Sequence, residues 1–414
     1  MTIDRALVSE PTRSADSGPR EGVAIALSGG GYRAMLFHTG TLWRLGQFGF
    51  FRNQSLTRVD PRTQHVADVG ALQRISSVSG GSIVSATLAL AFPALEEATS
   101  PAAFDDAFIR LVVGPVRNLA RTTLAGTSIK GGFSVIKDVL LPGSVNDHIA
   151  KAYDKHLFHG KTLQDLPDRV RFIFNASNLQ SGATWRFSKP YMRDWKVGEV
   201  ANPSLSLARA VGASSAFPPV LAPATLTLAN SDFTPGTGGY VDSVGSLQRP
   251  PFTTKPTLAD GGVYDNLGLE SCFKSYRTLF VSNAGKPFEA EGSISKNWAS
   301  IGARCIDVMD NQVLAQRKSL LLDAFNASDA SRRLGAFWDI QQDIGIHKCD
   351  SRLPCPKERT WLLARTPTDL AEKSDRLQDQ LINWGYASAD AAVRAWFNPA
   401  FPAPIGFPYP QSGV

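Results

Sequence analysis

The segment Ser77-Val78-Ser79-Gly80-Gly81 carries residue types suited to covalent chemistry, because a serine among small neighbours fits the sharp turn between a strand and a helix. Small residues let the backbone bend tightly and let a carbonyl approach, and the N-terminus of the following helix stabilises developing negative charge. The usual G-x-S-x-G pattern has glycine where this chain has Ser77, and a Ser/Gly turn before a helix also serves as plain N-capping. A nucleophilic Ser79 would need a base. Leu258-Ala259-Asp260-Gly261-Gly262 offers a carboxylate at a glycine turn. Alone, Asp-Gly is a turn signal. Beside a serine elbow, Asp260 can take the hydroxyl proton if the two are hydrogen-bonded in a site shielded from water.

Ser28-Gly29-Gly30-Gly31-Tyr32-Arg33 follows an apolar run and opens a helix, so its backbone N–H groups can face an anion. One reading is a phosphate cradle, although the chain has neither a spaced GxGxxG nor Gly-Lys-Ser/Thr here. Another is an oxyanion hole for a tetrahedral acyl intermediate. The third is a turn that serves only close packing. Among the histidines, only His347 follows Asp260 and could complete a Ser-Asp-His order; it has no motif of its own. His38 lies in the first helix and suits a supporting role. His156 and His159 lack a third ligand, so no metal site is expected.

These residues need a scaffold that brings strand ends together. Val23 to Leu27, Arg74 to Val78, Val170 to Ala176, Thr278 to Ser282 and Thr360 to Ala364 read as strands. Helical spacing follows the glycine turn (Met35, Leu36, Thr39, Leu42, Trp43, Leu45) and the elbow (Ile83 to Leu90). It recurs over Ser204 to Val211 and in two helices near the end, one with Leu377, Leu381 and Trp384, the other with Ala389, Val393 and Trp396. Two strand-turn-helix units imply an α/β fold with a parallel sheet covered by helices.

Together the glycine turn with its basic residue, the elbow serine and the later Asp-Gly-Gly resemble the patatin-like phospholipases. The stretch Ala213-Ser214-Ser215-Ala216-Phe217-Pro218-Pro219 also resembles that family, and Leu381-Ile382-Asn383-Trp384-Gly385-Tyr386 is similar to its bacterial members. The resemblance spans roughly residues 22 to 270. It implies a three-layer α/β/α sandwich with a mainly parallel central sheet. It also implies a Ser79-Asp260 dyad without a catalytic histidine, oxyanion donors at Gly29, Gly30 and Gly31 with Arg33 at the basic position, and hydrolysis of fatty-acyl esters. Gly80, Gly81, Gly261 and Gly262 would support the two turns, and no cofactor is implied. Ser77 and Ala34 depart from the family pattern, and both are small. Other readings are a lipid-binding or interaction module with little turnover, a triad through His347, and nucleotide binding at the glycine turn.

The 414 residues, 43% hydrophobic and 19% charged, suffice for a large core. The expected organisation is a flexible arm at 1–21, one acyl hydrolase domain at 22–397 and a proline-rich tail at 398–414. Residues 95–145, with Arg110, Arg117, Arg121, Lys130 and Lys137, read as a cap or interfacial insertion, or as ordinary surface helices. Residues 230 to 256 read as a long surface excursion. The net charge of +6 is spread along the chain, which favours an acyl-lipid substrate and a peripheral membrane surface over nucleic acid. No signal-like or membrane-spanning apolar run occurs, so a cytoplasmic location is the expectation. The four cysteines, Cys272, Cys305, Cys349 and Cys355, read as reduced and buried or incidental, with Cys349 and Cys355 close enough in sequence to pair under oxidising conditions.

Overall fold

The structure, a computed structural model, describes residues 18–127, 133–134, 144–239 and 245–414. In chain order, β1 (Arg20–Leu27) leads through the glycine turn into α1 (Gly31–Gln47), and β2 (Leu72–Val78) leads through the elbow into α2 (Gly80–Glu96). A meander follows: β3 (Arg171–Asn178), β4 (Ala183–Phe187), β5 (Tyr191–Asp194) and β6 (Gly198–Ala201). Then come α3 (Leu207–Ser214), β7 (Thr257–Asp260), α4 (Gly262–Asp265), β8 (Tyr276–Asn283), α5 (Trp298–Asn326), β9 (Leu334–Asp339), α6 (Lys357–Ala364) and α7 (Asp375–Trp396).

The central sheet has the order β6-β5-β4-β3-β2-β1-β8-β9. From β3 to β9 the neighbours are parallel, and β4, β5 and β6 extend the sheet as an antiparallel wing. The fold is therefore the expected α/β sandwich with a mostly parallel sheet. The layers are unequal. Val23, Ile25 and Leu27 face a thick apolar layer that includes α1, α2 and α7, whereas Ala24 and Ala26 face a thinner one built from Leu267, Leu269, Cys272 and Leu321. Alternation of large and small residues along β1 thus matches the depth of packing on each side.

Helix α1 is buried along nearly its whole length, because α7 runs against it at very close range. A Cβ on Gly385 would stand 1.7 Å from the Phe37 carbonyl oxygen, and one on Gly40 would stand 1.8 Å from that of Ile382. Beside this contact Arg44 and Arg394 both pair with the buried carboxylate of Asp390, at 2.7 and 2.8 Å. The tail after Asn398 lies along this pair: Tyr409 meets Trp43 edge-on, and Asn383 bonds the backbone of Tyr409 and Gly413.

Several local expectations change. Thr360 to Ala364 belongs to the helix α6, in which Thr360, Leu363 and Ala364 are buried at helical spacing behind an N-terminal Pro356. The two terminal helices are one, α7, because Gly385 in its middle is a packing contact rather than a break. Helix α5 had no counterpart in the sequence reading. Within 95–145, Pro101–Phe108 and Gly114–Ala120 are helices joined by a π-helical segment, Ile109–Val113. Val112, Val116 and Leu119 are core residues, and Arg117 and Arg121 pair with Asp379 and Asp375 of α7, so this part is a fastened helical pair. Lys130 and Lys137 lie outside the described residues, as do 1–17 of the arm and 240–244 of the surface excursion. The cysteines are free, Cys305 is exposed, and Cys349 and Cys355 are unpaired. Among the described residues no helix is long and apolar enough to cross a membrane.

Because backbone meets backbone at Gly385, Gly385→Ala is expected to destabilise the protein by at least about 1–3 kcal/mol, the range for overpacking. Gly302 in α5 has nothing within 4 Å of its Cβ position. Gly302→Ala should therefore be neutral or stabilising by up to about 1 kcal/mol, since only helix propensity changes. Urea unfolding of the two variants followed by circular dichroism measures both.

Candidate active site

Two strands end head-on against one edge of β3. In β2, Val78 pairs with Asn175, and in β7, which runs the opposite way, Asp260 pairs with the next residue, Ala176. Ser79 and Asp260, 181 positions apart in the sequence, therefore meet where the two strands stop. The Ser79 side chain lies close enough to the Asp260 carboxylate to lower its pKa, and Oδ1 of that carboxylate accepts the Gly262 N–H at 2.7 Å. Both residues are buried.

Ser79 has φ 51° and ψ −121°, a backbone state that L-residues seldom hold and that costs about 1–3 kcal/mol. Its neighbours explain how it persists. A Cβ on Gly80 would lie 2.1 Å from the Gly31 carbonyl oxygen, and one on Gly81 would lie 2.6 Å from that of Ser28. The elbow and the glycine turn thus touch backbone to backbone. Gly261 is confined in the same way, with the Asn175 oxygen 2.4 Å from its Cβ position, and Gly262 faces Asp260 Oδ1 at 3.1 Å. Ser77 fits where the general pattern has glycine: it is buried, its hydroxyl donates to the Ile173 carbonyl at 3.2 Å, and it accepts from Ser82.

The glycine turn is more selective than its sequence. The Gly29 N–H donates to the Asn266 carbonyl at 3.1 Å, so this group faces away from any incoming substrate. Gly30 and Gly31, with φ 142° and 58°, have N–H groups that find no acceptor among the described residues. They leave two open donors at the N-terminus of α1. Arg33 also differs from expectation. Its buried guanidinium donates to the carbonyls of Ala284 at 2.9 Å and of Ala364 and Thr366 at 3.2 and 2.6 Å. Those bonds tie the segments at 284 and 364–366 to the turn. Burial lowers its pKa to about 10, so it stays cationic.

Supporting residues lie in segments whose chemistry was not apparent from sequence. Ser214 accepts the Ser79 N–H at 3.1 Å and donates to the Asn175 carbonyl at 2.7 Å, while the Ala216 carbonyl accepts the Asp260 N–H at 2.8 Å. The stretch 213–219 therefore ties elbow and base to one scaffold. Asn266 was missed. Its amide oxygen lies 2.5 Å from the Cβ position of Gly29 and 2.8 Å from that of Gly262, wedged between the two turns. A hint existed in its place four residues past Gly262. His38 sits beneath the turn, its Nε2 3.0 Å from the Ser28 carbonyl and its Nδ1 3.0 Å from Ser282 Oγ. Burial pushes its pKa down to about 3, so the ring is neutral and Nε2–H donates to the carbonyl. His347 is elsewhere: its Nδ1 accepts the Trp396 indole N–H at 2.9 Å at the last residue of α7, and burial lowers its pKa to about 4. Among the described residues no cluster of His, Cys, Asp and Glu could hold a metal ion.

Burial raises the Asp260 pKa to about 7; the Gly262 and Ser79 hydrogen bonds pull it down, and the charge of Asp310 on α5 adds to the rise. A carboxylate with this value is a usable base near neutral pH, unlike an exposed one. Two amide N–H groups without an acceptor, a serine hydroxyl and a buried carboxylate at one turn junction are groups from which an acyl-transfer site can be built.

Residues 25–273 match the family model described as patatin-like phospholipase. Among solved structures, the chain is similar to human GIVD cytosolic phospholipase A2, with 13% identity and a TM-score of 0.48, over 90% of this chain and 58% of that one. It is also similar to VipD from Legionella pneumophila, with 14% identity and a TM-score of 0.34, over 90% of this chain and 66% of that one. The chain thus spans less than two thirds of either. No curated protein sequence matches it.

The raised Asp260 pKa has a consequence for stability that does not depend on turnover. Between the ordinary value of 3.8 and about 7, the folded chain holds a proton that the unfolded chain has released, so stability falls as pH rises through this window. Asp260→Asn removes that loss. Its melting temperature is expected to exceed the wild type's above pH 7 and to converge on it in acid; a difference constant with pH would contradict this.

Proposed function

Because the chain belongs to the patatin-like phospholipase family, we propose that it is a lipid acyl hydrolase that cleaves fatty-acyl esters with Ser79 as nucleophile and Asp260 as general base. The observation that carries this reading is the meeting of Ser79 with a buried carboxylate, its pKa raised to about 7, where two strands end on the same edge of β3. The register that ends both strands beside each other supports this pairing, since reacting groups held near one another need little reorganisation.

In the proposed reaction, Ser79 Oγ attacks the carbonyl carbon of the ester while its proton passes to Asp260. The carbonyl oxygen becomes an oxyanion, held by the Gly30 and Gly31 N–H groups and favoured by the positive end of α1. Collapse expels the alcohol portion of the lipid, which takes the proton from Asp260, and leaves an acyl group on Ser79. Water then attacks the acyl carbon and gives its proton to Asp260. The second collapse releases the fatty acid, with the proton returned to Ser79 Oγ. No histidine takes part. The class of substrate proposed is phospholipid, lysophospholipid or other acyl lipid, and the working unit is residues 22–397.

Ser79→Ala is expected to abolish hydrolysis of a short p-nitrophenyl ester and labelling by a fluorophosphonate. Asp260→Asn should lower kcat by at least about 10³-fold, as loss of a general base does. His347→Ala should retain activity, which separates the dyad from a triad. Wild-type kcat/KM should rise with pH through an apparent pKa near 7, since only the deprotonated Asp260 accepts the proton. Asp310→Asn should shift that limb to lower pH, because it removes a neighbouring negative charge. Full activity in Ser79→Ala, or a flat profile across neutrality, would defeat the reading.

A further inference from the structure

Asn266 is the residue at which the two turns of the site meet. It caps the short helix α4, and its backbone is held from both sides. Its carbonyl accepts the Gly29 N–H at 3.1 Å, and the neighbouring Asp265 carboxylate accepts the N–H groups of Leu267 and Glu270 at 3.2 and 2.6 Å. Arg317 in turn holds Asp265 at 3.3 Å. The main chain therefore fixes where the Asn266 side chain starts.

That side chain stands beside both reactive groups. A Cβ on Gly29 would lie 2.5 Å from Asn266 Oδ1 and 3.1 Å from Ser79 Cβ, so those two atoms are no farther apart than the two distances laid end to end. A Cβ on Gly262 would lie 2.8 Å from the same Oδ1 and 3.1 Å from Asp260 Oδ1, which bounds that separation in the same way. The nitrogen end points elsewhere. Nδ2 lies 3.2 Å from the Cβ position of Gly285, a point that Asn283 Oδ1 approaches at 3.1 Å. The N–H end thus faces an amide oxygen, which sets the orientation of the amide and leaves its own oxygen toward Ser79 and Asp260.

This amide is uncommitted. Neither end makes a hydrogen bond among the described residues, yet Asn266 is only half-buried and neither polar atom is sealed from solvent. A residue that only spaced the two turns would need no polar end, since leucine has the same branched shape. An open acceptor beside a nucleophile and its base has a use for a reactant that brings an O–H to donate.

We propose that Asn266 Oδ1 positions the water that breaks the acyl-enzyme, and so favours hydrolysis over transfer of the acyl group to alcohols. The proposal rests on the acyl-hydrolase reading. The alcohol leaves and the water arrives at one place beside Asp260, because each step is the chemical reverse of the other. An alcohol has one O–H, which Asp260 uses. Water has two. As the water oxygen forms its bond to the acyl carbon, one O–H gives its proton to Asp260 while the other stays intact and donates to Asn266 Oδ1. Collapse then breaks the bond from the acyl carbon to Ser79 Oγ, Oγ takes the proton from Asp260, and the fatty acid leaves. An attacking alcohol, its single O–H already engaged, gains nothing from Asn266.

The full chain is given a p-nitrophenyl ester with and without added methanol, and fatty acid and methyl ester are measured for the wild type, Asn266→Leu and Asn266→Asp. Leucine keeps the shape, and the backbone carbonyl that holds Gly29 stays, but the acceptor is lost; aspartate keeps the acceptor. In Asn266→Leu, kcat and KM should fall together by at least about fivefold, and the ratio of methyl ester to fatty acid should rise at least about fivefold. The acyl-enzyme should accumulate to a level that intact mass spectrometry detects. Asn266→Asp should keep the wild-type product ratio, with the rising limb of its pH profile moved upward by the added negative charge. Asn266→Ala carries the same expectation as leucine and replaces it if Asn266→Leu does not fold. The proposal is overturned if the product ratio is unmoved by loss of the acceptor, or if Asn266→Asp shifts it as leucine does. In either case a wild type that cleaves the ester leaves the hydrolase reading standing. If the wild type neither cleaves the ester nor is labelled by a fluorophosphonate, the hydrolase reading falls and this proposal with it.

Discussion

The shared edge of β3 is the constraint on which the site depends. A parallel strand, β2, and an antiparallel strand, β7, use successive residues of the same edge, so each must stop where the other stops. Main-chain hydrogen bonding therefore sets the separation of Ser79 and Asp260, not side-chain attraction. Register in a sheet is hard to shift, because a slip of one residue would turn every buried side chain of β3 to the opposite face. The pair is held by the most rigid part of the molecule.

Keeping it there costs stability in two places, and both are offset by packing. Ser79 holds an unfavourable backbone state, and Asp260 is a carboxylate with little water around it. The offsetting contacts are unusually close, since Gly80 and Gly81 bring the elbow against the glycine turn, and Ser214 bridges the Ser79 N–H to β3. His38, Arg33 and Asn266 act one layer further out. Each joins the glycine turn to a different segment: His38 to β8, Arg33 to the loops at 284 and 364–366, and Asn266 to α4. A turn so tied is held in place while its Gly30 and Gly31 N–H groups find no acceptor among the described residues.

The unequal layers of the sandwich explain why α5 can be so exposed. On the thick side three buried helices and the tail close the core, as the Gly40 and Gly385 contacts show. On the thin side the alanines of β1 leave room only for short segments, and α5 is held by one end of its length. Asp310, in its exposed half, adds its charge to the rise in the Asp260 pKa.

The sequence by itself determined the parallel core and singled out Ser79, Asp260 and the glycine turn as the candidate site. Short apolar runs ending in glycine or serine turns can only be buried strands feeding helices, and the three-part combination of Ser79, Asp260 and the glycine turn is chemically specific. It did not determine how those groups are partitioned. That Gly29 is closed while Gly30 and Gly31 are open, that Arg33 faces inward, and that Asn266 and Ser214 belong to the site all depend on contacts between segments far apart in the chain. The strand expected at Thr360 and the break expected within α7 failed for the same reason, since a buried face at helical spacing and a glycine against Phe37 acquire meaning only from their neighbours. Helix α5 was illegible because periodicity reports which residues share a face, and only tertiary structure decides whether that face meets protein or solvent.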